Sequence, residues 1–283
     1  MAVSDGTFTY SPPAFPPPAN LLFANAPMGR LQQELRESGL RPEQWAEWTS
    51  PYICLVVNTG RNRVLVDTGA GSLGTETGKL LQNLQAEGIA PADIDTVILT
   101  HGHPDHIGGN ITSEGELAFP NARFIMWKGD WDFWTSEQAR LKAGEHLRVL
   151  FTFASKNLPP IRGRLELLDH ETEIVSGIRA ISAPGHTPGH MALAISSGGR
   201  QLLCLSDAFL HPIHVGHPDW HAVVDFSPDQ VVATRRRLLS RAAAEKALVL
   251  NFHFPFPGLG HIVKNGESFQ WKAISLNMAL WPP

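Results

Sequence analysis

Only two cysteines occur in 283 residues. Both Cys54 and Cys204 fall in apolar runs, so buried thiols are expected rather than a disulfide framework. No apolar run is long enough to cross a bilayer, and no basic segment leads into an apolar targeting stretch. The expectation is therefore a soluble, cytoplasmic protein without membrane insertion. Positive charge is also scarce: Lys and Arg total 23 against 27 acidic residues, for a formal charge of -4. Without a broad basic patch to grip phosphates, a nucleic-acid partner is not expected, and Arg235-Arg236-Arg237 reads as a solvated helix face. Two catalytic signatures are missing as well. No Gly-x-Ser-x-Gly elbow supplies a nucleophile. A phosphate loop fails because Leu73 stands where its first glycine belongs, and Leu80 follows Gly78-Lys79 where Ser or Thr is required.

What the chain has is a dense set of metal-ligand types. His101-Gly102-His103-Pro104-Asp105-His106 places four of them in six residues, directly after the apolar run Val97-Ile98-Leu99. That run reads as a buried strand, and Gly108-Gly109 marks a turn beyond the cluster. If the extended backbone persists briefly, His101 and His103 point the same way and pinch one ion, while Asp105 and His106 face a second. Three later residues stand at similar strand-to-loop junctions: His186 in Pro184-Gly185-His186-Thr187-Pro188-Gly189-His190, Asp207 after Leu205-Ser206, and His253 after Leu250.

The 43% apolar content is enough for one large core. Prolines between Ser11 and Pro18 exclude a helix interior or central strand, so residues 1–20 are expected as a proline-rich arm. Such an arm lies across its own domain or across a second subunit, the latter giving a homodimer. Residues 21–283 are expected as a single domain. Strands are predicted at 52–57, 63–66, 97–99, 123–127, 165–168, 178–181, 191–195, 201–205 and 247–250. Helices are predicted at about 75–87, 130–143 and 228–246. Two strand-rich parts with helices outside them make an α/β sandwich.

The ordered ligand set resembles the metallo-β-lactamase-fold hydrolases, whose signature is His-x-His-x-Asp-His, then a glycine-histidine loop, a strand-end Asp and a late His. The resemblance covers about residues 50 to 262. It implies a four-layer αβ/βα sandwich holding two divalent ions, with zinc expected and manganese, iron or cobalt also accepted by such ligands. His101, His103 and His186 are then implied for the first ion, Asp105, His106 and His253 for the second, and Asp207 as the bridge. Asp67, Thr187 and His190 are implied as supporting residues. His261 is the runner-up for the late histidine. Asp105 and Asp207 are the expected catalytic residues, with Asp105 moving a proton toward the leaving group.

The stretch from Phe252 to His261 resembles the C-terminal motif of the branch containing methyl parathion hydrolase and related quorum-quenching lactonases. This implies a small-molecule substrate: an apolar lactone or ester, with N-acyl-homoserine-lactone-like compounds favoured. Organophosphate triesters are the alternative, ahead of a thioester, an RNA-processing role or a non-enzymatic metal scaffold. Candidate pocket residues are Trp127, Trp131, Trp134, Phe209, His211, Phe254 and Phe256. The branch's tyrosine near Leu210 is missing, which sets this chain apart from familiar acyl-homoserine lactonases.

Overall fold

A computed structural model describes residues 1–274; residues 275–283 of the expected 21–283 domain lie outside the described residues. Six strands form the first sheet in chain order: β1 (Ala2–Tyr10), β2 (Trp48–Asn58), β3 (Arg63–Val66), β4 (Thr96–Leu99), β5 (Arg123–Trp127) and β6 (Leu165–Leu168). The β1–β2–β3 part is antiparallel and the β3–β6 part parallel. The second sheet holds β7 (Glu173–Val175), β8 (Ile178–Ser182), β9 (Met191–Ser197), β10 (Arg200–Cys204), β11 (Leu248–Leu250), β12 (Leu259–Asn265) and β13 (Ser268–Ala273), ordered from β13 to β7. Helices α1 (Pro18–Leu22), α2 (Met28–Glu37), α3 (Leu80–Ala86), α4 (Pro104–Ile107), α5 (Lys128–Trp134), α6 (Glu137–Lys142), α7 (Glu145–Asn157), α8 (Ile213–Gly216) and α9 (Pro228–Glu245) complete the described elements, with short 3-10 turns between them.

Strand periodicity explains the layering. Val64, Val66 and Ile98 face the second sheet, where they meet Ala180, Leu193 and Leu250. Their neighbours Leu65, Val97 and Leu99 face outward onto α3 and α7, through Leu80, Leu84, Phe151 and Ala154. On the far side, Leu203, Leu205 and Val249 pack against Leu238, Leu239 and Ala242 of α9. Strands covered on both faces need apolar side chains at successive positions, which is why Val97-Ile98-Leu99 reads as one run. The result is the expected αβ/βα sandwich. Among the described residues, no helix is long and apolar enough to cross a membrane. Cys54 and Cys204 are free and buried.

Several expectations are corrected. Residues 2–10 of the expected 1–20 arm are a sheet strand, paired with β2 of the same chain. The Asp5-Gly6 pair that disguises this strand makes a bulge, with Gly6 at φ +109°. The bulge turns Asp5 inward to accept N–H bonds from Ala70 (2.8 Å), Gly78 (3.1 Å) and Leu80 (3.0 Å). These bonds also delay the helix expected at 75–87 until Leu80. The helix expected at 130–143 is two helices, because the Ser136 side chain accepts the Ala139 N–H and starts α6 afresh. Arg235, expected on a solvated face, is 0% exposed, whereas Arg236 and Arg237 are exposed.

Asp5→Ala strands the buried Ala70 and Leu80 N–H groups, each worth about 1–3 kcal/mol when unpaired, and frees the Gly78 N–H to water, so a loss of about 2 kcal/mol or more is expected in urea melts. A loss below about 1 kcal/mol would remove Asp5 from this anchoring role. Burial pushes the Asp5 carboxyl up to about 6 against the pull of its three donors. A carboxyl raised on folding favours the folded state most below its unfolded value of 3.8, and that contribution is lost as pH rises through about 6.

Candidate metal centre

The chain ends of β4, β8, β10 and β11 meet at one edge of the sandwich, and each delivers ligand-type side chains there. Beyond β4, His103 has extended backbone angles (φ -72°, ψ 153°), and Pro104 then starts α4. His101 and His103 converge on one ligand group, while the turn of helix carries Asp105 and His106 to a second. Gly102 is obligatory between the histidines: a Cβ there would lie 2.3 Å from the Trp134 indole. Gly185 is likewise required before His186, with φ +134° and the Val231 N–H 2.2 Å from where its Cβ would be.

Two buried groups result, His101-His103-His186-Asp207 and Asp105-His106-Asp207-His253. In the first, His103 Nδ1 lies 3.0 Å from both His101 Nε2 and His186 Nε2. Asp207 Oδ2 is 3.8 Å from His101 Nε2 and 3.4 Å from His186 Nε2. In the second, Asp207 Oδ1 is 3.2 Å from His106 Nε2, and Asp207 Oδ2 is 2.9 Å from His253 Nε2. Asp105 Oδ2 is 3.7 Å from His106 Nε2 and 3.5 Å from His253 Nε2. Asp207 is thus common to both.

The spacing and chemistry of these residues fit cations. Four donors about 2.1 Å from one ion stand roughly 3.4 Å apart in a tetrahedron, which these separations bracket. His106 Nε2 and Asp207 Oδ1 are buried without a hydrogen-bond partner among the described residues, although they face each other. A shared cation satisfies both atoms. Burial holds the His101 and His103 pKa values well below the ordinary imidazole value, keeping both rings neutral with lone pairs available. Burial acts the same way on His106 and His186. At His106 the Asp207, Asp67 and Asp105 carboxylates outweigh it and raise the pKa. At His186 Asp207 and Asp225 outweigh it, raising the value to about 9. Burial pushes the Asp207 carboxyl up, but the surrounding His253, His106 and His186 bring it well below the usual range.

A supporting layer fixes the rings. Asp67 Oδ2 is 2.8 Å from His106 Nδ1, and its carboxylate also accepts the Thr100 N–H and hydroxyl. His190 Nδ1 meets the Ala183 carbonyl at 3.0 Å, and its Nε2 accepts the Asp207 N–H at 3.2 Å, so it positions Asp207's backbone. Burial lowers the His190 pKa to about 3, which keeps that acceptor unprotonated. The Thr187 carbonyl accepts N–H bonds from Gly185 and His190, closing the His186 loop. His261 lies in β12, with Nδ1 bonded to the Ala247 carbonyl, and belongs to neither group.

Sequence reasoning passed over three further supports. Asp225 Oδ1 holds His186 Nδ1 at 2.8 Å, Ser50 Oγ holds His253 Nδ1 at 2.7 Å, and Asp130 accepts the Gly102 and Gly189 N–H groups, tying both ligand loops together. No local pattern marks any of them. Each acts on a residue at least 28 positions away.

Beside the ligand groups lies a cavity of about 260 Å³, reaching His103, Asp105, His186, Asp207 and His253. Its apolar wall comes from Phe8, Tyr10, Phe15, Leu21, Leu22 and Trp48 on one side and Val149, Leu150 and Phe153 of α7 on another. The seven expected pocket residues are all absent from this lining. Trp134 packs edge-on to His103 at 5.4 Å beneath the ligand loop. Trp127 lies between the sheets and Trp131 against the outer core, while Phe209 and Phe254 fill the α9-side core. His211 packs on Phe23 and Trp45, and Phe256 is 50% exposed. Of that motif's aromatics Phe254 serves packing, while the apolar wall is built by the segment expected as an arm, with Leu21, Leu22 and Trp48, and by α7.

A helix–sheet–sheet–helix sandwich with paired His/Asp ligand groups at one edge defines a dinuclear metallohydrolase scaffold. Residues 49–253 match the family model described as the Metallo-beta-lactamase superfamily. The chain belongs to that superfamily. Its structure is similar to that of AidC, a dizinc quorum-quenching lactonase solved in complex with a product, at 29% identity and a TM-score of 0.87, covering 97% of this chain and 93% of that one. It is also similar to the hydrolase AbOPH of the beta lactamase superfamily, at 27% identity and a TM-score of 0.86, with the same coverage of both chains. In sequence it is similar to the N-acyl homoserine lactonase AiiA of Bacillus thuringiensis subsp. kurstaki, 24% identical over 225 residues, which is 72% of this chain and 81% of that protein.

Proposed function

We propose that the protein is a dizinc hydrolase of apolar lactones, with N-acyl homoserine lactones as its preferred class. The observation that carries this reading is the junction of cavity and ligands: a wall of aromatic and aliphatic side chains ends directly on the residues that would hold the cations. Such a wall suits an acyl chain. Among the described residues the lining carries no Lys or Arg to pair with a glutathione thioester's carboxylates or a phosphate backbone. The similarity to the lactonases AidC and AiiA supports the same class.

His101, His103, His186 and Asp207 would hold one cation, and Asp105, His106, His253 and Asp207 the other. Such a pair, when bound, supplies Lewis acidity and a water acidified toward neutral pH. The protein's own contribution is orientation and exclusion: Asp67, Asp225 and Ser50 fix the imidazole rings. The apolar wall keeps bulk water from the acyl side. Asp105 borders the cavity and is 8% exposed, which supports a role in which its carboxylate would carry a proton from attacking water to the leaving alcohol.

Asp105→Asn with cation content restored is expected to lower kcat by about 100-fold or more and to change the shape of the pH-rate profile. An unchanged rate and profile would remove the proton-transfer role. The substrate class is tested by kcat/KM across short- and long-chain acyl lactones, aryl esters, methyl parathion, a thioester and a β-lactam, with and without a chelator. Acyl lactones are expected to lead, with turnover lost on chelation. Preference for the thioester or for methyl parathion would overturn the assignment.

A further inference from the structure

Tyr10 and Tyr52 are the only tyrosines in the chain, and their hydroxyl oxygens lie 2.8 Å apart. The two phenols hold two protons but share one hydrogen bond. One proton is therefore left over, and burial decides which. Tyr52 is 0% exposed, its ring packed against Phe252 and His253. Tyr10 borders the cavity with Asp105 and Asp207. If Tyr10 donated, the spare proton would be stranded on Tyr52 inside the packing, at a cost of about 1–3 kcal/mol. If Tyr52 donates, the spare proton belongs to Tyr10, at the cavity wall.

We propose that Tyr10 is a substrate-binding donor: it accepts from Tyr52 and donates its own O–H to an oxygen of the scissile lactone or ester group. Accepting one bond strengthens the next one donated. The ring is already held in place, stacked on Trp48 at 5.0 Å and met edge-on by Phe8 at 4.9 Å and Phe15 at 4.8 Å, so little freedom is lost when substrate binds. Burial, followed by the Asp105 charge, holds the Tyr10 pKa well above the ordinary phenol value, and the hydroxyl keeps its proton. Along an otherwise apolar wall, this donor aligns the polar end of a substrate whose acyl chain lies against the aromatics.

The assignment rests on the lactone and ester reading of the site, and its test separates the two. Wild type, Tyr10→Phe and Tyr52→Phe, each with metal content and melting temperature measured, are compared in kcat and KM on an acyl lactone and the matching thiolactone. Binding of the matching non-hydrolysed γ-lactam is measured by calorimetry. Tyr10→Phe is expected to keep its cations and melting temperature, to lose about 10- to 100-fold in kcat/KM on the lactone and, where the bond is to the carbonyl that lactone and lactam share, to weaken lactam binding about tenfold. Tyr52→Phe is expected to lose only about threefold, since Tyr10 keeps its proton. A penalty that disappears with the thiolactone places the bond on the ring oxygen, and one that persists places it on the carbonyl; both support the donor. Unchanged kcat/KM and lactam binding in Tyr10→Phe, a larger loss in Tyr52→Phe, or loss of cations in Tyr10→Phe would each overturn it. Wild type that neither turns over lactones and esters nor binds the lactam would reject the substrate reading itself, and this assignment with it.

Discussion

Asp207→Ala is expected to reduce bound metal from two equivalents to one or none and to lower kcat/KM by more than about a thousandfold. Asp207 is the carboxylate common to both ligand groups, with Oδ2 2.9–3.8 Å from His101, His186 and His253 nitrogens and Oδ1 3.2 Å from His106 Nε2. Alanine leaves each group one donor short. It also removes negative charge from the midst of five buried imidazoles, so two cations would repel each other with less compensation. Elemental analysis of the purified variant, alongside its kinetics, provides the check. Retention of both ions and of activity would contradict the bridging assignment.

The largest expected loss of stability comes from a residue that touches neither cavity nor cation. Asp225→Ala should destabilise the fold by about 3–5 kcal/mol, because it abandons a buried guanidinium. Arg235 is 0% exposed; Nε and Nη1 donate to the Ala208 and Trp220 carbonyls, and Nη2 lies 3.3 Å from Asp225 Oδ2. The same carboxylate accepts the Ala222 N–H and holds His186 Nδ1. Asp225 therefore joins a structural ion pair to a ligand ring. The double variant Asp225→Ala with Arg235→Met separates the two roles: stability should largely return, whereas metal affinity should stay about 10- to 100-fold weaker because His186 has lost its orienting partner. Urea melts and chelator competition read the two effects independently. A single-variant loss below about 1 kcal/mol would show the pair to be dispensable.

Local chemistry made much of this protein legible in its sequence. The density of His101, His103, Asp105 and His106 after an apolar strand marks a metal loop, and the strand-end positions of His186, Asp207 and His253 follow from the same pattern. What escaped depends on chain crossings. Asp225 reaches His186 across 39 positions, Asp130 reaches Gly102 across 28, and Ser50 reaches His253 across 203. Residues 2–10 escaped because a bulge at Asp5-Gly6 looks like a turn, and the prolines that follow look like an arm. That misreading hid the cavity wall, since Phe8, Tyr10 and Phe15 belong to it. The Phe252–Phe256 aromatics misled in the opposite direction: Phe254 sits at right angles to Trp271 in the core, and Phe256 is 50% exposed and not part of the cavity lining. Arg235 was misread because two exposed arginines follow it, while helical geometry turns only the first of the three inward.

Anomalous diffraction from crystals grown with zinc measures the central arrangement most directly. Two peaks are predicted, one within about 2.3 Å of ligand atoms from His101, His103, His186 and Asp207, and the other equally close to Asp105, His106, His253 and the same Asp207. A fully loaded crystal with a single peak, or with His186, Asp207 or His253 outside coordination distance, would contradict the account.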